Sequence, residues 1–350
     1  MLYTSAFKVI DEYSIENSAS SSRAIDLSDL TFSMESLLSG EKKGADKGDT
    51  FDPSEIRLNI GPINVDPMPG VGGDEEEERG EHVVGDRNDN ELTGTELGEN
   101  FYSRNGDDVI NALGGDDRIF ADGGSDIIDG GEGEDIVTFQ RLDERVVLDL
   151  GDSTNSTSKA WGDTYISIER FFMTDFDDRV FGSDGDDYFR TLDGDDTVSG
   201  GNGRDKIFAG EGDDTVFGGG KRDYLVGMEG NDVLDGGHGH DRIEGGTGDD
   251  ILTGGAGKDE FFFQASAEEN WGNDVITDFD ANGDDVITID VANNLLDGLL
   301  GMTALDDIGS LIGLEIQSTV GGTLLSWGEN SITLLDTEAE NVGVDDFLFI

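Results

Sequence analysis

The sequence predicts an all-β protein: two solenoids of short parallel strands, joined by a β insert, closed by a β C-terminal cap and preceded by a disordered N-terminal arm. Three observations predict it. Two stretches repeat with a period of nine residues and hold an apolar residue at one fixed place of every unit. Glycine supplies 53 of the 350 residues while apolar residues make up only 35%, so a large conventional core is out of reach. Finally, 80 Asp and Glu against 22 Lys and Arg leave a formal net charge of -58, which a compact state must offset from outside the chain. That charge argues against nucleic acid and anionic membranes as partners. With no cysteine there is no disulfide framework, thiolate zinc site or cysteine nucleophile.

Residues 1–84 form the arm. Its first part is rich in Ser and Asp, and it holds every proline of the chain: Pro53, Pro62, Pro67 and Pro69. Such a composition buries too little apolar surface to offset the entropy of ordering. Ile25, Leu27, Leu30, Phe32, Leu37 and Leu38 fit one amphipathic helix, either a docking element or transient local order. The run Glu75 to Glu78 reads as a solvated spacer. Met1 to Ile10 lack the pattern of a cleaved signal peptide, and no apolar stretch is long enough to span a membrane.

Residues 85–138 hold six nine-residue units and residues 173–262 hold ten. The eighth place is Leu92, Phe101, Ile110, Ile119, Ile128 and Val137 in the first array. In the second it is Val180, Phe189, Val198, Ile207, Val216, Leu225, Leu234, Ile243, Leu252 and Phe261. All sixteen are apolar in a chain that is 35% apolar, which fixes the frame. The first six places, rich in Gly and Asp, suit a tight turn, and the last three suit a minimal strand with one inward side chain. Two units then make one coil, and stacked coils make two narrow parallel sheets over a thin core. Aspartates 18 residues apart, such as Asp108 and Asp126 or Asp196 and Asp214, come within about one strand spacing, roughly 4.8 Å. A hard divalent ion between successive turns relieves that repulsion, and carboxylates with backbone carbonyls match the six to eight oxygens that calcium takes; magnesium, with its strict octahedron, fits poorly.

Units such as GGNGRDKIF (Gly200 to Phe208), GGHGHDRIE (Gly236 to Glu244) and GGTGDDILT (Gly245 to Thr253) resemble the hemolysin-type calcium-binding repeats of the RTX family. The resemblance implies two calcium-bound parallel β-rolls. It further implies a protein secreted to the extracellular space of a Gram-negative bacterium by a type I secretion apparatus. The calcium-binding aspartates carried over are Asp108, Asp117, Asp126 and Asp135, then Asp178, Asp187, Asp196, Asp205, Asp214, Asp223, Asp232, Asp241, Asp250 and Asp259. The accompanying fourth-place glycines are Gly106, Gly115, Gly124, Gly133, Gly194, Gly203, Gly212, Gly230, Gly239 and Gly248. An array of n units encloses at most n minus 2 ions, so the ceilings are 4 and 8, about 12 calcium ions in all. Asn90 and Glu99 stand where aspartate belongs, with Asn88 and Leu97 at the fourth place, and predict a frayed terminal cap. Lys221 at a fourth place, followed by Arg222, predicts a weak or empty site.

Residues 139–172 break the repeat with the apolar alternation Val146 to Leu150, a polar stretch to Lys159, then Trp161 and Ile166 to Phe172. This resembles the RTX segment whose extra strands join two rolls. Residues 263–350 hold longer strands, expected at 274–279, 285–289, 313–319, 323–327 and 331–335. Asn273 to Asp280 resembles the family's C-terminal cap, and Asp345 to Ile350 its terminal secretion signal. Asp278, Asp280, Asn282 and Gly283 mimic the start of an EF-hand loop, but Ile289 holds the place that glutamate should.

No HExxH, GxSxG or GxxxxGK motif occurs, and neither catalytic nor cofactor-binding residues are assigned beyond calcium. His238 and His240 flank Gly239 in a turn, where solvated positions explain them as well as a transition-metal site does; His82 stands alone. The reading is therefore a non-enzymatic, calcium-binding structural, adhesive or interaction protein that is unfolded in the cytosol, its extracellular partner undetermined. The alternative is an extracellular enzyme or enzyme accessory, hydrolytic or polysaccharide-modifying, with Asp163 and Glu169 of the insert as the residues to test.

Overall fold

The computed structural model describes residues 80, 82–156, 160, 162–265, 271–280, 285–291, 314–327, 330–343 and 346–349. The expectations for residues 1–79, and those resting on Lys159, Trp161, Asn282, Gly283, Asp345 and Ile350, lie outside them. Every named element among the described residues is a strand.

One 12-stranded sheet is parallel throughout and runs the length of the repeats. It begins Val83–Val84, Asn100–Tyr102, Arg118–Phe120, Ile136–Thr138, Arg170–Phe172, Tyr188–Asp193 and ends at Phe347–Phe349. The opposite face is divided. Its first part is a four-stranded parallel sheet, Glu91–Thr93, Val109–Asn111, Ile127–Asp129 and Thr164–Ile166. The second is an 11-stranded sheet that starts with Val147–Asp149 and Arg179–Phe181. It ends in an antiparallel meander, Glu315–Thr319, Gly322–Trp327 and Asn330–Leu335.

The insert explains the division. Arg170–Phe172 pairs with Ile136–Thr138 on one side and with Tyr188–Asp193 on the other, so the long sheet crosses without a break. Thr164–Ile166 completes the smaller sheet and Val147–Asp149 founds the next. Within the arrays the register steps by 18, as in Phe101↔Ile119 and Val198↔Val216. Beyond them the coils continue with longer loops, Leu252 pairing with Ile276 and Phe261 with Ile287. All the eighth-place residues are buried except Leu92, which is partly covered.

One detail departs from a three-residue strand. In the second array most strands are six residues long, for example Lys206–Glu211, because pairing resumes past the first place at Leu192↔Gly210 and Gly210↔Met228. The second place takes a positive φ, +78° at Leu192 and +131° at Gly210, and this bend turns the chain while keeping its hydrogen bonds.

Candidate metal centre

The sixth-place carboxylates form a ladder along both edges of the stack. In every predicted aspartate except Asp178 and Asp187, one oxygen accepts the backbone N–H of the sixth-place residue one coil earlier. Examples are Asp108 N–H to Asp126 Oδ1 at 2.9 Å, Asp196 N–H to Asp214 Oδ1 at 2.7 Å and Asp241 N–H to Asp259 Oδ1 at 2.9 Å. This bond fixes the carboxylate and leaves its second oxygen without work.

That second oxygen is buried and has no hydrogen-bond partner in twelve of the fourteen predicted aspartates: Asp108, Asp117, Asp126 and Asp135, then Asp196, Asp205, Asp214, Asp223, Asp232, Asp241, Asp250 and Asp259. Such groups are rare in folded proteins and need a counter-charge. Burial is the largest influence on all of them and pushes their carboxyls up: Asp196 to about 9, Asp232 to about 8, Asp117, Asp214 and Asp223 to about 7, and Asp126, Asp135, Asp205, Asp241 and Asp250 to about 6. The N–H bond lowers each in part, while neighbouring carboxylates mostly add to the rise.

The remaining two aspartates are different. Asp178 Oδ2 accepts the Thr174 N–H at 2.8 Å and its hydroxyl at 2.9 Å, and Asp187 Oδ2 accepts the Ser183 N–H at 2.7 Å and its hydroxyl at 3.1 Å. At the start of the first array, Thr95 closes onto Glu99 in the same way and the Asp86 N–H donates to Asn90 Oδ1 at 2.8 Å. The opening coil of each array thus supplies from its own second place the hydrogen bonds that later carboxylates lack. Glu99 and Asn90 still donate N–H groups to Asp117 and Asp108, both at 2.7 Å, so these units belong to the stack.

The residues fit a hard cation. Among the described residues no three carboxylate or imidazole side chains converge, so backbone carbonyls must supply most of the ligands. They are at hand. A Cβ placed on Gly236 would stand 2.7 Å from Asp241 Oδ2 and 2.7 Å from the Gly254 oxygen, which shows a carboxylate and the next coil's carbonyl facing one space. Ala112, Ala121 and Ala209 place a buried methyl at this first place in other turns. The fourth-place glycines stack likewise, and Gly212, at φ +133°, has no room for a Cβ because the Gly194 carbonyl lies against it. Lys221 takes φ +76° there and sends its ammonium to Asp186 at 3.7 Å, leaving the buried oxygens of Asp205 and Asp223 unpartnered.

Four further carboxylates extend the ladder. Asp163 accepts the Asp126 N–H at 2.9 Å, Glu169 the Asp135 N–H at 2.8 Å, Asp274 the Asp250 N–H at 3.0 Å and Asp285 the Asp259 N–H at 3.0 Å. Counting by nines misses them because inserted residues shift the frame. A local signal survives: a carboxylate two residues before an inward apolar or aromatic side chain, as in Asp163 and Tyr165, Glu169 and Phe171, Asp274 and Ile276, Asp285 and Ile287. Asp163 Oδ2 is already engaged by the Tyr165 hydroxyl at 2.9 Å. A second, exposed ladder uses the fifth place, where Asp213 Oδ1 accepts the Asn231 N–H at 2.8 Å. His240 takes that role, its Nδ1 accepting the Lys258 N–H at 2.8 Å, while His238 is exposed.

Residues 102–137, 174–207, 190–225, 208–243 and 236–265 match the family described as RTX calcium-binding nonapeptide repeat (4 copies). No curated protein matches the chain. Among solved structures, extracellular lipase LipA from Serratia marcescens is similar at 17% identity and a TM-score of 0.26, covering 79% of this chain. The chain spans 41% of that lipase's length, and so slight a likeness carries no weight below.

Proposed function

The chain carries RTX calcium-binding nonapeptide repeats, and from that premise we propose that it is a secreted, non-enzymatic protein whose rolls fold when they meet extracellular calcium. One observation carries the reading: two columns of buried carboxylate oxygens, each fixed by a backbone bond on one side and unpartnered on the other. Without cations this stack gathers charges that burial disfavours. With them each turn gains a counter-ion, and roughly one calcium serves each unpartnered oxygen.

Chain export follows from the same energetics. In a low-calcium cytosol the arrays stay open and pass a type I apparatus unfolded; outside, calcium binding prevents their return. Extracellular sites with dissociation constants near about 0.1 mM, in about 1 mM calcium, each add roughly 1.4 kcal/mol. Ten such sites exceed the stability of an ordinary domain. The role outside is structural, adhesive or a contact with a partner. Asp163 and Glu169 both serve as rungs of the ladder, which supports the non-enzymatic reading over a catalytic pair in the insert. Among the described residues no helix is long and apolar enough to cross a membrane.

The test is a calcium titration of chelator-stripped protein followed by circular dichroism and tryptophan fluorescence, with magnesium as control. Cooperative gain of β signal near millimolar calcium, and not with magnesium, is expected. A stripped protein that is already folded overturns the proposal.

A further inference from the structure

The outward side of the long sheet, over the seven strands from Asn100–Tyr102 to Tyr224–Glu229, is aromatic and basic. Seventh- and ninth-place side chains of alternate units stand on it, in the rows Asn100 to Tyr224 and Tyr102 to Val226. None of the fourteen positions on these seven strands is acidic, in a chain where 80 of 350 residues are Asp or Glu; the patch ends there, since the next two strands of the same sheet bring Glu244 and Glu260 into the rows. Six are aromatic: Tyr102, Phe120, Phe172, Tyr188, Phe208 and Tyr224. Four are basic: Arg118, Arg170, Arg190 and Lys206. The corresponding outward rows on the opposite sheets include Glu91, Asp129, Asp149 and Asp235.

The aromatic rings form a strip. Tyr102 and Phe120 stack at 4.6 Å with 7° between their planes, and Tyr188, Phe208 and Tyr224 follow one another at 5.4 and 5.6 Å. Guanidinium groups lie on the rings: Arg141 at 5.2 Å from Tyr102 and 5.4 Å from Phe120, Arg118 at 5.8 Å from Phe172, and Arg170 at 5.4 Å from Tyr188. Arg170 also pairs with Glu134 at 3.0 Å. Cross-strand pairs of this kind stabilise a sheet, but sheet stability alone does not require acids to be missing from seven successive strands.

We propose that this face binds an extended acidic polysaccharide. Three features select that chemistry. The strip is half-exposed and runs along the open face of a sheet, suited to the C–H faces of sugar rings rather than to a folded pocket ligand. Its cations recur along the sheet, so they meet a polymer that carries carboxylates at intervals. Its seven strands, at about 4.8 Å each, extend for roughly 29 Å in fixed register, a length that a short oligosaccharide can follow. Duplex nucleic acid does not fit, since the face presents neither a helix nor a ribbon to a groove; the overall charge of -58 opposes any polyanion, but at physiological salt it is screened beyond about 8 Å, so the acid-free rows act locally.

The inference rests on the calcium-loaded fold, so every binding measurement is paired with circular dichroism and a calcium count. Calcium-saturated full-length protein is titrated with a fluorescein-labelled polygalacturonate decasaccharide, its methyl ester and a labelled oligothymidylate, read by anisotropy. We expect the acidic sugar to bind at least tenfold more tightly than either control. The exposed-side substitutions Lys206→Glu and Arg190→Gln together should weaken it at least tenfold with the dichroism and calcium count unchanged. Tyr188→Leu should weaken it several-fold, and Thr215→Gln on the opposite face should have no effect. Absence of binding by folded protein, equal binding of the methyl ester, preference for oligothymidylate, or indifference to the Lys206 and Arg190 changes overturns the proposal. Loss of the dichroism signal in wild-type protein with calcium instead refutes the folding reading beneath it.

Discussion

Replacing Asp214 by Asn separates the two jobs of a sixth-place carboxylate. The amide keeps an oxygen where Asp214 Oδ1 accepts the Asp196 N–H at 2.7 Å, so the ladder survives, while the buried unpartnered Oδ2 becomes an uncharged amino group. Burial holds the Asp214 carboxyl up at about 7, so the metal-free stack at pH 8 carries a charge that it disfavours, and Asp214→Asn removes it. In chelator the variant should therefore be at least as stable as the parent. In calcium the sign reverses. Eight unpartnered oxygens in the second array, at roughly 1.4 kcal/mol each, amount to about 11 kcal/mol of calcium-dependent stability, and losing one site removes at least about 1.4. The assay is urea unfolding by circular dichroism at pH 8, in 1 mM calcium (about the level assumed above) and in chelator, with calcium stoichiometry by mass spectrometry. Equal destabilisation in both conditions would mean that the carboxylate matters only as a hydrogen-bond acceptor, and would refute the reasoning.

Other predictions follow from the same geometry. The folded-state pKa values of the buried aspartates lie above the unfolded value of 3.8, so the stability they contribute to the metal-free roll is full below that value and lost as pH rises through about 6 to 9. In chelator, acidification from pH 8 to pH 5 should raise β signal, and saturating calcium should flatten the profile; a metal-free β signal that is unchanged or falls refutes this. Thr174→Gly and Ser183→Gly remove the hydroxyl bonds to the second oxygens of Asp178 and Asp187 and leave only the backbone N–H bonds, and the pair should raise calcium stoichiometry by one or two ions; an unchanged count shows that the hydroxyls are not what closes those turns. Gly230→Ala pushes a Cβ into the Gly212 carbonyl at φ +137° and should destabilise the calcium form by about 1–3 kcal/mol, seen as a lower unfolding midpoint. Lys221→Gly relieves a positive φ of +76° and should stabilise by up to about 1 kcal/mol with the ion count unchanged, which calorimetry would detect.

Much of this was legible in the sequence because a strict period leaves little freedom. The eighth-place residues are the core, and the 18-residue register follows from two units per coil. The sequence could not show how each carboxylate divides its oxygens, since that depends on the N–H one coil earlier. Nor could it show that Thr95, Thr174 and Ser183 fold back onto their own turns, because a hydroxyl at the second place looks like any other turn residue. Asp163, Glu169, Asp274 and Asp285 escaped because counting by nines stops at an insertion, whereas strand pairing resumes after a loop of any length. The aromatic and basic rows stayed hidden for a related reason. Their members lie in two columns that each step by 18 residues, and only stacking brings Tyr188 of one column and Phe208 of the other together.

The uninterrupted sheet has a consequence for how the molecule assembles. A parallel pair needs its alignment chosen once, and each added strand then copies the alignment of the one before it. Because Arg170–Phe172 bridges Ile136–Thr138 and Tyr188–Asp193, an alignment set in either array passes directly to the other. Neither array therefore needs an alignment of its own once the other has formed. The opposite face, cut between Thr164–Ile166 and Val147–Asp149, passes on no such alignment. Continuity on one side and interruption on the other let the insert add residues between the arrays without losing count.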